Sequence, residues 1–422
     1  MLKVSKFGGS SLSDSDRFCA VARIVQSDIA RRVVVVSAPG KRHAADHKIT
    51  DLLYLCHAHT QYGVPCWDIF RRIRERFVQI RDGCGVTLPI EHDLDEIYSA
   101  LHPGVSRDYL ASRGEYLSAK IMAALLGFSF VDAAEWLKFD YSGNVLTAES
   151  YAALQSLADG RKIVTPGFYG TLPNGAIRTF SRGGSDVTGS LAAAALHADL
   201  CENWTDVAGV LSADPRIVTD ASAIAQLTYD ELQALSDVGM QVLHESAVEP
   251  VRERSIPLLI RSTFDPNLPG TRISRGDCGG KSGIVGLAGM RNVAMLRLHH
   301  RGHDGTVLIP SVCRTLKDEA LDVFHCASAL GKTTLLLRTD GASERLHAAC
   351  ESIGEIADVS VRENLAVLAA VHRGTDCIPP LLAAVESAGV PVHHLAEIPP
   401  CLLMLVNDSQ YETALKAACR VI

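Results

Sequence analysis

The chain has 422 residues, more than one hydrophobic core ordinarily organises, so two or three domains are expected. Hydrophobic residues make up 47% and charged residues 21%, a globular balance, and a net charge of −7 lacks the basic excess that marks a nucleic-acid partner. No run of about 18 apolar residues occurs to span a membrane, and the twelve cysteines contain neither a C-x-x-C pair nor zinc-like spacing with histidine. Scattered cysteines behind an N-terminus that reads as a strand rather than a signal peptide place the expected home in the cytoplasm.

Taken in chain order, residues 2–7 read as a first strand that runs directly into Gly8-Gly9-Ser10-Ser11. Residues 14–30 read as a helix, with Phe18, Val21, Ala22 and Val25 at spacings of 3, 4 and 7. "RRVVVVSAPG" is then a buried β-branched strand. Strand, helix and strand with continuous apolar strands predict a parallel sheet covered on both faces. Residues 50–126 read as mostly helical, most clearly 112–126, where Leu117, Ile121 and Leu125 share a face. The stretch around 64–105 is a helical insert without evident role. "GFSFVDA", "RKIVTPGFYG" and "LCENWTDVAGV" read as further strands, and 185–197, 229–238 and 244–254 as helices.

Pro, Gly and charge mark a domain boundary near 265–283, ending a first domain at about residue 275. Beyond it, apolar strands near 295–298, 323–327 and 333–337 recur near 367–371, 390–395 and 401–406, each set with a helix after its first strand and another at its end. This β-α-β-β-α pattern, occurring twice, predicts two small α+β modules at 283–355 and 356–422, possible interleaving included. The alternative is one irregular α+β domain. His299, His300 and His303 read as exposed loop or strand-end residues rather than metal ligands.

Three stretches carry chemistry. In "KFGGSS" two glycines close a strand, where backbone N–H groups can approach an anion and Lys6 can reach the same anion; the lysine precedes the glycines, so this is no Walker A loop. A plain turn is the simpler reading of Gly8-Gly9. In "TFSRGGSD" Gly183 and Gly184 again expose amides, Ser185 begins a helix, and Asp186 suits its first turn. Arg182 is a planar cation suited to gripping a carboxylate. Two Gly-rich strand ends, one with Lys and one with Arg, suggest a site for two anions: a nucleotide's phosphate tail and a small carboxylate. "WTDVAGVLSADPR" adds Thr205 and Asp206 at a third strand end, with Arg216 able to meet a phosphate. Glu115, in "SRGEYLSAK", reads on its own as a solvated helix-face residue.

Together, "KFGGSS", "SAPG" followed by "ITDLL", "GEYLSAK", "TFSRGGSD", "WTDVAGV" with "ADPR", and "VLH" at 242–244 run in the order of one family. The chain resembles the aspartate kinases of the amino-acid kinase superfamily along essentially its full length, and its tail resembles their tandem ACT modules. The resemblance implies a three-layer αβα fold with a mainly parallel central sheet, followed by two βαββαβ modules. It implies Mg-ATP-dependent phosphorylation of the side-chain carboxylate of L-aspartate to 4-phospho-L-aspartate, the first step toward lysine, threonine and methionine. A carboxylate is already ionised at neutral pH, so such a reaction needs charge neutralisation and in-line positioning rather than a general base.

By the same resemblance Lys6 neutralises the transferring phosphoryl group, with Gly8, Gly9 and Ser10 around it and Asp186 orienting it. Arg182 clamps the substrate's α-carboxylate, Glu115 receives its α-ammonium, and Ser37, Thr50 and Ser185 complete the aspartate side. Thr205, Asp206, Arg216 and Gln241 line the nucleotide side, with Mg²⁺ held mainly by phosphates and water. Leu211 stands where the family often has tyrosine, Gln241 where it often has lysine, and Glu245 where proline commonly follows "VLH". A homodimer and an amino-acid effector, lysine or threonine, at the tail are also implied. The competing readings are a sister kinase acting on another carboxylate, and an amino-acid sensor with a silent kinase domain.

Overall fold

The computed structural model describes residues 1–181, 183–240, 243–276, 282–302 and 305–422; Arg182, Gln241 and His303 lie outside the described residues. The chain divides into two units: Met1–Val210, Ala223–Tyr229 and Val242–Cys278 form one, and Leu211–Ser222, Asp230–Gln241 and Gly279–Ile422 the other. The division follows no single cut, since two short stretches ahead of residue 265 fold with the tail.

In the first unit the strands are β1 (Lys3–Phe7), β2 (Arg31–Val36), β3 (Ser129–Phe130), β4 (Ile163–Pro166), β5 (Tyr169–Thr171), β6 (Ile177–Thr179), β7 (Leu200–Thr205), β8 (Gln226–Thr228), β9 (Leu258–Ser262) and β10 (Thr271–Ser274). Its helices are α1 (Ser15–Gln26), α2 (Ile49–Gln61), α3 (Trp67–Gly83), α4 (Ile90–Ser99), α5 (Arg107–Leu126), α6 (Ala133–Trp136), α7 (Thr147–Ala158) and α8 (Gly184–Ala195); α9 (Tyr229–Asp237) starts here and continues in the second unit, and α10 (Glu245–Glu253) follows. Eight strands form one sheet in the order β3-β4-β2-β1-β7-β9-β10-β8. From β3 to β9 every pair is parallel; β10 runs antiparallel to β9. The winding reverses between β1 and β7, which is where open α/β sheets leave a crevice beyond their strand ends.

Side-chain alternation along β1 and β7 sorts the two faces. Phe7 and Trp204 stack at 5.9 Å and join Phe18, Leu53, Phe77 and Leu117 in the core beneath α1–α5. On that same face Glu202 collects Ser5 Oγ at 2.7 Å, Arg31 Nε at 2.7 Å and Trp204 Nε1 at 3.0 Å, so three adjacent strands share one buried charge network. The opposite face is covered by α8, whose small residues let it lie close: Ala192–Ala195 are fully buried and a Cβ on Gly189 would stand 3.0 Å from Lys6 Cβ. The sheet between two helical layers is the expected αβα architecture.

The second unit holds β11 (Gly283–His299), α11 (Gly305–Asp318), β12 (Asp322–Ala329), β13 (Lys332–Arg338), α12 (Ser343–Gly354), β14 (Asp358–Arg373), α13 (Ile378–Ser387), β15 (His394–Ile398), β16 (Cys401–Asn407) and α14 (Tyr411–Ala418). One six-stranded antiparallel sheet runs β12-β13-β11-β14-β16-β15. The two sequence repeats are therefore not side-by-side sheets of their own. The long β11 and β14 pair along their length, from Gly283 against Arg373 to His299 against Asp358. The far half of β11 and the near half of β14 complete the first repeat, around Leu296, Leu335 and Leu346. The remaining halves complete the second, around Leu368, Met404 and Leu415.

Several expectations move. "GFSFVDA" keeps only the two residues of β3, the strand expected at 390–395 shifts to β15, and the first helix stops at Gln26. His300 is not exposed: it is buried, and its Nε2 shares a 2.7 Å hydrogen bond with Thr333 Oγ1 on the neighbouring strand. The insert at 64–105 is α3 and α4, which drive Phe70, Ile73, Phe77, Ile80, Leu94 and Ile97 into the main core.

Candidate active site

Lys6 sits one residue before the end of β1, in register with Asn203 on β7. Both side chains point at the first turn of α8, where Asp186 takes Lys6 Nζ at 2.5 Å and Asn203 Nδ2 at 3.0 Å. Lys6 and Asp186 are largely withdrawn from water, and Asn203 Oδ1 has no partner among the described residues. The carboxylate thus fixes where the ammonium points. A lysine held this way is a fixed positive charge at the mouth of the crevice between β1 and β7.

Beyond Phe7 the chain turns through Gly8, Gly9 and Ser10, the last two in a single 3-10 turn, Gly9–Leu12. Gly9 has a packing reason to be glycine. A Cβ there would stand 2.8 Å from Ala38 O, and one on Gly40 would stand 2.7 Å from Gly9 O, while Gly40 N–H donates to Gly9 O at 2.8 Å. The loop after β1 and the loop after β2 are pressed together backbone to backbone. At Gly8 a Cβ would stand 3.7 Å from both Lys6 Nζ and Trp204 O, and the Gly8 amide donates to Trp204 O at 3.0 Å. Ser11 shares a 2.8 Å hydrogen bond with Thr263, whose hydroxyl donates to Thr205 O, so the strand ends of β1, β7 and β9 are laced together.

Ser37 follows β2, its amide bonded to Phe7 O at 3.2 Å, and Thr50 lies half-buried in the first turn of α2. Glu115 departs from the solvated reading its sequence context gives. It lies mid-way along α5, a helix capped by Ser106 and ended by Gly127 at positive φ, and it is 5% exposed. Burial pushes its carboxyl up to about 8, against hydrogen bonding from the Ala38 amide and the nearby Arg113 charge. Its Oε2 has no partner among the described residues. Arg113 is spread over the rings of Tyr109 and Tyr116, at 4.7 and 4.5 Å.

Ser185 stands in the first turn of α8, packed against Gly167, behind Gly183, which takes the left-handed conformation a non-glycine residue resists. Thr205 and Asp206 close β7, with Thr205 Oγ1 donating to Asp206 at 3.1 Å. Arg216 folds with the second unit, where Asp214 holds it at 2.6 Å. The first unit therefore gathers Lys6, Gly8, Gly9, Ser10, Thr205 and Asp206 along one row of strand ends, with Asp186 facing Lys6 from the first turn of α8 and Ser37 on the adjoining loop. Asn203 was not singled out from the sequence. Its only signal there is polarity: Glu202 and Asn203 interrupt an otherwise apolar strand.

The amino acid kinase family model matches residues 1–262. Aspartokinase 3 of Bacillus subtilis (strain 168) is 33% identical over 364 residues, 82% of this chain and 80% of that protein. The crystal structure of Clostridium acetobutylicum aspartate kinase, described as an allosteric enzyme, matches over 100% of both chains with a TM-score of 0.93 at 35% identity. That of E. coli aspartokinase III in complex with lysine and aspartate, a T-state, matches over 100% of this chain and 99% of that one, with a TM-score of 0.76 at 26% identity. With the lysine–aspartate pair, the laced strand ends and the αβα sheet already in place, these likenesses have one reading: the chain belongs to the amino acid kinase family, among its aspartate kinases.

Proposed function

We propose that this chain transfers the γ-phosphoryl group of Mg-ATP to the side-chain carboxylate of L-aspartate, and that the residues at the β1, β2 and β7 strand ends carry the transfer. The observation that favours an amino acid over other carboxylates is Glu115. A buried carboxyl with one oxygen unpartnered among the described residues is costly by itself and becomes favourable when an ammonium group fills the place. An α-amino acid supplies that group; carbamate or a nucleoside monophosphate does not.

The step breaks the bond between the β,γ-bridging oxygen and the γ-phosphorus and forms one from a carboxylate oxygen, with ADP as leaving group. Both reactants are anions, so fixed cations must hold them together. Lys6, aimed by Asp186 and steadied through Asn203, faces the γ-phosphoryl group. The Gly8 amide is already engaged by Trp204 O at 3.0 Å, so backbone contact to the phosphate is assigned to the turn that follows, at Gly9 and Ser10. Arg182 is assigned to the substrate's α-carboxylate, and Ser37, Thr50 and Ser185 to its flanks. Thr205 and Asp206 are assigned to the nucleotide side together with Gln241. Arg216 already has Asp214 as counter-ion, so serving a phosphate would require exchanging that pair. Mg²⁺ arrives with the triphosphate and supplies charge neutralisation there.

The proposal extends to the tail, as a homodimer contact and a seat for an amino-acid effector such as lysine or threonine, and to a cytoplasmic location on the strength of the scattered cysteines. No helix of the described residues is long and apolar enough to cross a membrane.

The test is trapping with hydroxylamine. Protein with Mg-ATP and L-aspartate should yield aspartyl hydroxamate, and Lys6→Met should lower the rate by about 10²-fold or more. No hydroxamate above a blank lacking aspartate would end this reading.

A further inference from the structure

The insert α3–α4 has no role in the sequence reading, yet α3 carries one charged side chain inward. The buried stripe of α3 is Phe70, Ile73, Phe77 and Ile80, and among them lies Arg76, 5% exposed. A guanidinium so placed must have its donors satisfied. Its Nη1 donates to Ser13 O and to Gly40 O, 3.2 Å each, and its Nη2 to Asp46 Oδ2 at 2.6 Å. Asp46 in turn receives the Arg42 amide at 3.0 Å and Arg42 Nε at 2.9 Å.

The two carbonyls belong to the two loops of the site. Ser13 closes the turn that begins at Gly9, and Gly40 lies in the loop that runs from Ser37 to the start of α2. These loops touch glycine to glycine, too closely for any side chain to bind them together, and a single backbone hydrogen bond joins them at the contact. Arg76 grips both from behind. We propose that Arg76 is a positioning residue for phosphoryl transfer, an external brace that fixes the spacing between the phosphate-side loop at 8–13 and the aspartate-side loop at 37–40. In-line attack tolerates little misplacement, and an error on the order of 1 Å costs roughly 10²-fold in rate. The fork geometry is required. One nitrogen serves both carbonyls and the other serves Asp46, and a lysine, with its donors on one atom, cannot span both ends.

The test is Arg76→Lys in the full chain. It should melt within a few degrees of the parent. Its kcat should fall roughly 10- to 100-fold while KM for ATP stays within about threefold, because Lys6 is held by Asp186 rather than by the braced loops. Hydrogen exchange at the Gly40 amide and across 9–13 should rise at least about tenfold with α5 unchanged. A kcat within twofold of the parent, or exchange that rises evenly through the unit, overturns the proposal. Should Arg76→Lys fail to fold, Asp46→Asn loosens the same brace from its other end. It should raise exchange at 9–13 and 40 alone, and an even or absent rise is equally fatal. The inference rests on the aspartate kinase reading, but exchange needs no substrate. An inactive parent with a local exchange response would sink that reading and leave the brace standing.

Discussion

At the scale of single residues, Glu115 makes the sharpest statement about pH. Its carboxyl is pushed up to about 8 by burial, so the folded protein holds this proton more tightly than the unfolded chain does. The stability this adds is full below the ordinary carboxylate range and is lost as pH rises through about 8, by up to ~1.4 kcal/mol per pH unit. Denaturant titrations at pH 6 and 9 should show Glu115→Gln gaining stability relative to the parent at the higher pH. Substrate reverses the preference, since an ammonium group needs the ionised form. KM for aspartate should fall about tenfold between pH 6.5 and 8.5, and Glu115→Gln should raise KM and flatten that dependence; a parallel pH profile in the variant would remove Glu115 from the substrate site. Lys6 was legible from its motif, and the resemblance paired Asp186 with it and turned Glu115 from a solvated helix-face residue into the receiver of an α-ammonium; that Glu115 is buried came from the structure. Asn203 and Arg76 were not legible. The first depends on strand register and the second on a helix docking across two loops, and neither leaves a local pattern.

Among elements, the central sheet depends on the network at Glu202, which ties β1, β2 and β7. Burial alone would raise this carboxyl, but hydrogen bonds and charge from Arg31, with further bonds from Ser5 and Trp204, hold it below its ordinary range. Its contribution is therefore present above the ordinary glutamate pKa and lost as pH falls through the lowered one. Glu202→Gln strands the Arg31 charge in the core and should cost about 3 kcal/mol, read from urea unfolding at neutral pH. Replacing both partners, Arg31→Met with Glu202→Leu, should cost less than the single change, because no uncompensated charge is left. An equal or larger loss would show that the network stabilises by more than mutual neutralisation. β2 was legible because Val33–Val36 form a continuous apolar run, and β1 and β7 because each leads into a motif at its strand end. β3 was legible only as part of a longer strand, "GFSFVDA", of which two residues pair, and the glycines of 8–9 were read as anion-facing while Gly9 is pressed against Gly40.

For the whole molecule, the question is whether the tail folds as two successive modules or as one. The repeat was plain in the sequence because its apolar strands recur, but a repeat says nothing of which strands pair, so boundaries at 283–355 and 356–422 left open whether the two modules interleave. The pairing crosses that boundary. Val293–His299 find their partner in Asp358–Leu365, while Gly283–Met290 pair with Val367–Arg373. A chain stopped at residue 355 therefore keeps every residue of the supposed first module and loses its fourth strand, baring one edge of β11 over an apolar core. A chain stopped at residue 373 lacks the second module's helices and outer strands but retains β14. If strands are shared, amides of β13 (Lys332–Arg338) should stay protected in the longer chain and exchange at least about tenfold faster in the shorter one. Equal protection in both would mean that β11, β12 and β13 with their two helices suffice, and that the long β11–β14 ladder joins two independently stable halves rather than building one.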